Sequence, residues 1–147
     1  MNIYYQNVRG LKTKLDEIKT NILASNYDII ALCETWLSDE IYNQEIFNSR
    51  YQVYRNDRDS AISGKSDGGS CLLAIKRRLK SSRIMDWEDK NIENIWVTVD
   101  TGNYKQLFLC ITYFRPASSF DTYKQLFDLI TEKVNTGKPR FTQSLGF

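Results

Sequence analysis

The residues of this 147-residue chain that could do chemistry stand at the ends of apolar runs. Glu34 directly follows five apolar residues, Ile29 to Cys33. Such a short run, bounded by polar residues, predicts a strand that is buried on both faces. The end of a central strand is where ligands bind in open α/β folds, so Glu34 is a candidate functional residue. A solvated residue at a strand end would occupy the same place in the sequence.

Two further polar side chains stand at predicted strand ends. Asn7 lies near the end of a strand predicted over 3–8, and Tyr113 ends a strand predicted over 107–113. A side-chain amide or a phenol hydroxyl can donate a hydrogen bond to a phosphate oxygen at such a position. Asn7 could equally be a turn residue, and Tyr113 a half-buried aromatic residue.

Positive charge is concentrated in the middle of the chain. The segment 50–83 contains nine Lys or Arg and three Asp, whereas the whole chain has a formal net charge of +2. This segment is either a solvated face or a surface that contacts a polyanion such as nucleic acid. Tyr51 and Tyr54 interleave with Arg55 and Arg58, which is typical of a nucleic-acid surface.

The composition excludes several classes of protein. A hydrophobic fraction of 41% and an aromatic fraction of 13% are typical of a folded globular domain. No apolar run approaches the roughly 18 residues that a membrane span needs. Three cysteines, all within apolar runs, indicate reduced thiols and an intracellular location, nuclear or cytoplasmic. The chain has no histidine and therefore lacks the commonest general base and transition-metal ligand.

The order of the predicted elements indicates an α/β domain. A strand, an amphipathic helix over 11–25 and the strand over 29–33 form a βαβ unit, so the first two strands should be parallel. Later strands follow one another without long helices between them, at 51–55, 71–75, 95–99 and 107–113. The strand over 107–113 should be central in its sheet, because it is apolar almost throughout.

A second amphipathic helix follows the last strand. Ser118 is expected to cap its N-terminus, and Gly137 to end it. The spacing of its apolar residues predicts a buried face made of Phe120, Tyr123, Phe127 and Ile130.

Five short stretches occur in the order found in the endonuclease/exonuclease/phosphatase superfamily, and the sequence most resembles the endonuclease domain of non-LTR retrotransposons. The stretches are 6–10, 28–35, 54–58, 68–74 and 112–116. The resemblance covers the chain up to about residue 137. It therefore predicts one domain over 1–137, followed by a divergent tail over 138–147.

The resemblance implies an α/β fold, an incomplete four-layer sandwich of two mixed β-sheets flanked by helices. It implies that Glu34 binds Mg²⁺, with Mn²⁺ as a substitute, and that Asn7 and Tyr113 contact the scissile phosphate. Candidate contacts to nucleic acid are the arginines Arg9, Arg55, Arg58 and Arg115.

Members of that superfamily continue with a strand ending in Gly-Asp-x-Asn and later with a Ser-Asp-His motif, and neither occurs here. We therefore expect a truncated Mg²⁺-dependent endonuclease-like domain that ancestrally nicked DNA alongside a reverse transcriptase. We expect it to be monomeric and inactive as it stands, so whether it is still an enzyme is left open. Two alternatives remain, namely a non-catalytic remnant that binds nucleic acid or a partner, and a phosphoesterase for another substrate.

Overall fold

The computed structural model describes residues 1–57, 69–103 and 105–136. Its strands are β1 (Ile3–Asn7), β2 (Ile29–Cys33), β3 (Tyr51–Asn56), β4 (Cys71–Lys76), β5 (Ser81–Arg83), β6 (Glu93–Asp100) and β7 (Gln106–Tyr113). Its α-helices are α1 (Leu15–Ser25), α2 (Asn43–Ile46) and α3 (Phe120–Asn135), and short 3-10 helices span Lys12–Lys14 and Met85–Trp87. Arg58, the predicted helix end at Gly137 and the predicted tail over 138–147 lie outside the described residues.

The strands form two sheets. The first has the order β1-β2-β4-β3 and the second the order β5-β6-β7. β1 and β2 are parallel, as the βαβ unit predicts, and every other described pair is antiparallel. The first sheet is therefore mixed, as expected, whereas the described part of the second is antiparallel rather than mixed. β2 lies between two neighbours, so Glu34 does follow a central strand.

The two sheets pack face to face, with a helix outside each. The core between them contains residues from β2, β4, β6 and β7, among them Ile29, Leu73, Val97 and Leu109. α1 packs through Ile18 and Ile22 on the outer face of the first sheet, and α3 packs on the outer face of the second. These four layers confirm the predicted α/β sandwich. The three cysteines are free, and no helix in the described ranges is long and apolar enough to cross a membrane.

β7 lies at an edge of the described second sheet, so its predicted central position is wrong. Its side chains are nevertheless buried on both faces. Leu109 packs against the first sheet, while Phe108 stacks on Trp87 on the opposite face, with ring centroids 5.4 Å apart. The apolar run thus reports two covered faces rather than two neighbouring strands.

α3 differs from its prediction in its cap and in its buried face. Ser119 rather than Ser118 caps the helix, because its hydroxyl accepts the N–H of Thr122 at 3.3 Å. Among the helix side chains that the structure describes, Leu126 is the fully buried one, and it belongs to one cluster with Trp96. That contact sets the inward stripe, with Leu129 and Ile130 beside it, and leaves exposed two residues predicted to be buried, Phe120 and Phe127.

Candidate functional site

The parallel pairing of β1 and β2 brings Asn7 and Glu34 together. Asn7 stands opposite Cys33 in the register, and Glu34 is the next residue. Hydrogen bonding continues past the strand ends, since the Gly10 N–H donates to the Glu34 carbonyl at 2.8 Å. The Asn7 amide then donates to Glu34 Oε1 at 3.3 Å. Two residues that are 27 positions apart in sequence therefore form one polar pair at the sheet edge.

Glu34 adopts a backbone conformation that its side chain disfavours. Its φ is +53°, in the left-handed region, which costs an ordinary L-residue about 1–2 kcal/mol. Neighbouring contacts hold it there, because Thr35 and Ser70 share a buried hydroxyl–hydroxyl hydrogen bond of 2.7 Å. Such strain persists only where the surrounding structure fixes it, and it is commonest at functional sites.

The second sheet contributes Tyr113 and Arg115 at the same end of the sandwich. Tyr113 stands opposite Glu93 in the register of β6 and β7. The Glu93 carboxylate accepts Arg115 Nε at 3.2 Å and also accepts the N–H of Ser70, which lies next to the first sheet. Glu93 therefore links the two sheets and holds the arginine. It was not predicted, although its position beside an apolar strand is the signal that identified Glu34.

An open cleft of about 450 Å³ lies where these strand ends meet. Five of the seven predicted site residues line it, namely Asn7, Arg9, Glu34, Tyr113 and Arg115. Two residues that sequence analysis did not assign to the site, Phe114 and Tyr123, form an aromatic wall with ring centroids 4.3 Å apart. One carboxylate, two guanidinium groups, an amide and two phenols thus line a single cleft.

Arg55 does not line this cleft. Its guanidinium pairs with Asp57 and donates to the carbonyls of Ser38, at 3.0 Å, and Ile41. Its side chain is 13% exposed. Arg55 therefore holds the loop that precedes α2, and this placement does not favour the predicted contact with nucleic acid.

The basic residues at the end of β4 lie at the opposite end of the first sheet from the cleft. Lys76 and Arg78 both pair with Asp28, whose side chain is 7% exposed. Burial alone would raise the pKa of Asp28. Hydrogen bonds from the Asn2 N–H, Arg78 and Lys76 outweigh this effect and lower the pKa to about 2. This part of the basic segment is thus occupied by contacts within the chain, which favours the structural interpretation of its charge.

The cleft offers oxygen ligands suited to a hard divalent cation. Glu34 supplies a half-buried carboxylate, and the buried Asn7 Oδ1 has no hydrogen-bond partner among the described residues. Mg²⁺ typically takes one or two carboxylates and completes its coordination with water and phosphate. The described residues contain no cluster of three or more His, Cys, Asp or Glu that could hold a metal, so a cation here would depend on water or substrate oxygens.

No protein-family model matches the sequence, and no curated protein sequence matches it. Solved structures do match. The endonuclease domain of TRAS1, a telomere-specific non-LTR retrotransposon, gives a TM-score of 0.66 at 14% identity, over 95% of this chain and 55% of that one. The catalytic domain of Xenopus laevis APE2 gives 0.64 at 13% identity, over 96% and 56%. The 3' phosphatase NExo from Neisseria, bound to a product DNA hairpin, gives 0.60 at 18% identity, over 93% and 52%.

The chain spans about half the length of these solved structures, between 52% and 56%. At such low identity the likeness concerns the fold. That fold has the layers described above, and it agrees with the family that the order of the five sequence stretches indicates. The chain therefore has the fold of the endonuclease/exonuclease/phosphatase superfamily.

Proposed function

We propose that the cleft binds a phosphodiester group of DNA together with a divalent cation, Mg²⁺ or Mn²⁺. The observation that carries this proposal is the convergence of Asn7, Arg9, Glu34, Tyr113 and Arg115 from both sheets on one cleft. Guanidinium groups are well matched to phosphate oxygens, and amide or phenol donors fix the position of a phosphate. The structure of NExo with a DNA hairpin supports DNA as the class of ligand.

The Glu34 carboxylate supports the presence of a cation. A carboxylate and a phosphate are both anions, so they repel each other unless a cation lies between them. Glu34 and Asn7 would hold the cation, and when bound it would stabilise the negative charge of the phosphate and of the leaving oxygen. Asn7 orients the Glu34 carboxylate through its amide, and Glu93 keeps Arg115 beside the cleft.

We further infer that the 147-residue chain binds DNA without cleaving it. Glu34 is the one carboxylate among the described residues that line the cleft, and the chain has no histidine. General-base catalysis requires a group within hydrogen-bond reach of the attacking water, and a carboxylate that binds the cation is poorly suited to that role. Residues 1–137 would then be part of an endonuclease domain that acts as a monomer beside a reverse transcriptase, in the nucleus or cytoplasm.

Binding is tested with a fluorescent DNA duplex and two matched arginine variants. Arg115→Gln removes a cation from the cleft, whereas Arg77→Gln removes an exposed one from the opposite end of the first sheet. We expect Arg115→Gln to weaken binding and to reduce the slope of log affinity against log salt by about one contact. Arg77→Gln should change neither. Equal effects of the two variants would contradict the assignment of the cleft.

The cation is tested by titrating Mg²⁺ into the same assay. Wild-type affinity for DNA should rise as Mg²⁺ screens Glu34 from the phosphate. Glu34→Gln keeps the shape of the side chain and removes its charge, so its affinity in EDTA should equal or exceed that of the wild type and its response to Mg²⁺ should be lost. A Glu34→Gln variant that still responds to Mg²⁺ like the wild type would place the cation elsewhere.

Cleavage is tested on supercoiled plasmid. We expect no nicking by the 147-residue chain with Mg²⁺ or Mn²⁺. A chimera that joins residues 1–137 to the C-terminal remainder of a structurally similar endonuclease should nick, and Glu34→Ala should abolish most of that activity. Nicking by the 147-residue chain itself, dependent on Glu34, would overturn the inference of inactivity while supporting the site.

The alternatives give different results in these assays. A phosphoesterase for another substrate would release inorganic phosphate from a 3'-phosphorylated oligonucleotide or a small phosphoester, with no effect on plasmid. A remnant that binds through the segment 50–83 would be sensitive to Arg77→Gln rather than to Arg115→Gln. The ion pairs of Lys76 and Arg78 with Asp28 already favour the cleft over that surface.

A further inference from the structure

A second cavity adjoins the phosphate cleft. It has a volume of about 570 Å³ and is lined by Gly10, Lys12, Thr13, Trp36, Ser38, Asp39 and Glu40. The same two chain segments border both spaces. Arg9 lines the cleft and Gly10 the cavity, while Glu34 lines the cleft and Trp36 the cavity. The two spaces are therefore neighbours along both segments.

Trp36 is held at the surface by its backbone. Its φ is +53°, in the left-handed region, and the residues on either side of it, Thr35 and Leu37, are buried. The Trp36 N–H donates to the carbonyl of Gly69 at 3.4 Å. Although the chain is fixed on both sides, 36% of the tryptophan surface remains exposed. A residue with a strained backbone and an exposed, large apolar side chain is consistent with a binding role.

Gly10 provides the support for the indole ring. A Cβ placed on Gly10 would lie 2.9 Å from Cε3 and 3.2 Å from Cζ3 of Trp36, which is closer than a side chain tolerates. The φ of Gly10 is +93°, a conformation that glycine adopts without strain. The absence of a side chain at residue 10 thus lets the indole pack directly on the backbone of the loop that carries Arg9.

The charges around the cavity indicate what can enter it. Asp39 and Glu40 line it and repel phosphate, whereas their oxygens accept hydrogen bonds from amino groups. Lys12 lies on the same cavity and can contact a phosphate at its rim. An exposed aromatic ring stacks with nucleobases of any sequence. The combination suits the uncharged base of a nucleotide rather than its phosphate.

We propose that Trp36, supported by Gly10, forms the floor of a nucleobase subsite beside the phosphate cleft. A base of the bound strand stacks on the indole, and its exocyclic amino group donates to Asp39 or Glu40. This inference rests on the proposed binding of a nucleic-acid phosphate in the cleft. Beyond phosphate binding, it states that the chain also contacts one base of the strand. It further predicts a preference for adenine, cytosine or guanine over thymine, which has no exocyclic amino group.

The test combines base removal with substitution of Trp36. A set of short single strands, each with one abasic position moved along the sequence, is titrated into the full chain by fluorescence anisotropy. At one position, base removal should weaken wild-type binding about 5- to 100-fold, the range of one stacked base. Trp36→Ala should weaken binding of the intact strand by a similar factor and make the chain indifferent to that abasic position. Trp36→Phe should keep most of the affinity.

Two controls keep the result specific. Tyr42→Ala removes another exposed aromatic residue, 69% exposed, from the same loop region and should leave binding unchanged. Comparing tryptophan fluorescence of the wild type with that of Trp36→Phe gives an independent readout, because the variant keeps the half-buried Trp87 and the buried Trp96 and loses only Trp36. DNA should quench the wild-type emission and should quench that of Trp36→Phe less. If Trp36→Ala does not fold, the base subsite is still tested by the abasic series on the wild type and by the smaller quenching expected for Trp36→Phe.

The outcomes separate this inference from the proposed function. Arg115-dependent binding that is indifferent to every abasic position, with unchanged affinity of Trp36→Ala, would overturn the base subsite and leave the phosphate cleft standing. An absence of any binding to DNA would overturn both. Equal binding of thymine and adenine at the sensitive position would remove the role of Asp39 and Glu40 and with it the stated preference.

Discussion

Asp28 is a buried charged group at the end of the fold opposite the cleft. Its carboxylate accepts the Asn2 N–H at 2.9 Å and pairs with Lys76 at 3.3 Å and with Arg78. Asp28→Asn keeps the size of the side chain but leaves the Lys76 ammonium, 11% exposed, without its buried counter-charge. Because Lys76 keeps two contacts with Asn26 at 2.7 Å, we expect a loss of about 2–4 kcal/mol in the free energy of unfolding at pH 7.

The same contacts fix the pH dependence of that loss. The pKa of Asp28 falls from 3.8 to about 2 on folding, so its contribution to stability is present above about pH 4 and is lost as the pH falls towards 2. The shift corresponds to at most about 2 kcal/mol, and screening around Arg78, 64% exposed, reduces this to about 1–2 kcal/mol. The difference between the wild type and Asp28→Asn should therefore shrink between pH 5 and pH 3.

Urea unfolding followed by circular dichroism at several pH values measures both quantities. Asp128→Asn is the matched control, because Asp128 pairs with Lys124 on the surface, with side chains 64% and 58% exposed. The control should lower the free energy of unfolding by about 0.5 kcal/mol or less at every pH. The reasoning is refuted if Asp28→Asn costs no more than Asp128→Asn at pH 7, or if its cost stays constant down to pH 3.

Other predictions concern the core and the loop before α2. Ile30→Ala and Leu109→Ala should each lower the free energy of unfolding by about 2–5 kcal/mol, whereas Ile3→Ala, at a position 44% exposed, should cost far less in the same urea assay. Arg55→Gln should lower the free energy of unfolding by about 1–3 kcal/mol, because it releases the carbonyls of that loop. Its DNA affinity and salt slope should nevertheless match those of Arg77→Gln. A larger loss of affinity for Arg55→Gln would support the predicted contact of Arg55 with nucleic acid.

The sequence predicted the centre of the fold because its signals there are local. The five apolar residues of β2 are buried, as their unbroken run requires, and the parallel pair β1–β2 follows from the short βαβ unit. Once these strands are parallel and in register, the polar residues that end them must meet. The juxtaposition of Asn7 and Glu34 was therefore predictable without coordinates.

The features that the sequence did not indicate concern partners that are distant in sequence. An apolar run shows that the two faces of β7 are covered, but it carries no information about how many strands flank it. In α3 the inward stripe is set by the contact of Leu126 with Trp96, and Phe120 stays exposed although it fits the helical spacing. Arg55 and Glu93 depend on partners that only the folded chain identifies, namely loop carbonyls for one and Arg115 for the other.

The backbone at the cleft is the feature that no sequence pattern indicated. Arg9, Glu34, Trp36 and Ser70 all have a positive φ, between 46° and 66°, although their side chains disfavour it. Each such residue costs of order 1–3 kcal/mol, so this end of the sandwich carries several times that cost. At the opposite end, the positive φ of Asn26 belongs to the ordinary C-terminal cap of α1, and that of Asn103 to the turn between β6 and β7, where asparagine is well tolerated. The concentration of strain in the residues that carry the carboxylate, a guanidinium group and the aromatic ring is therefore an independent argument that this edge of the sheets was shaped for binding.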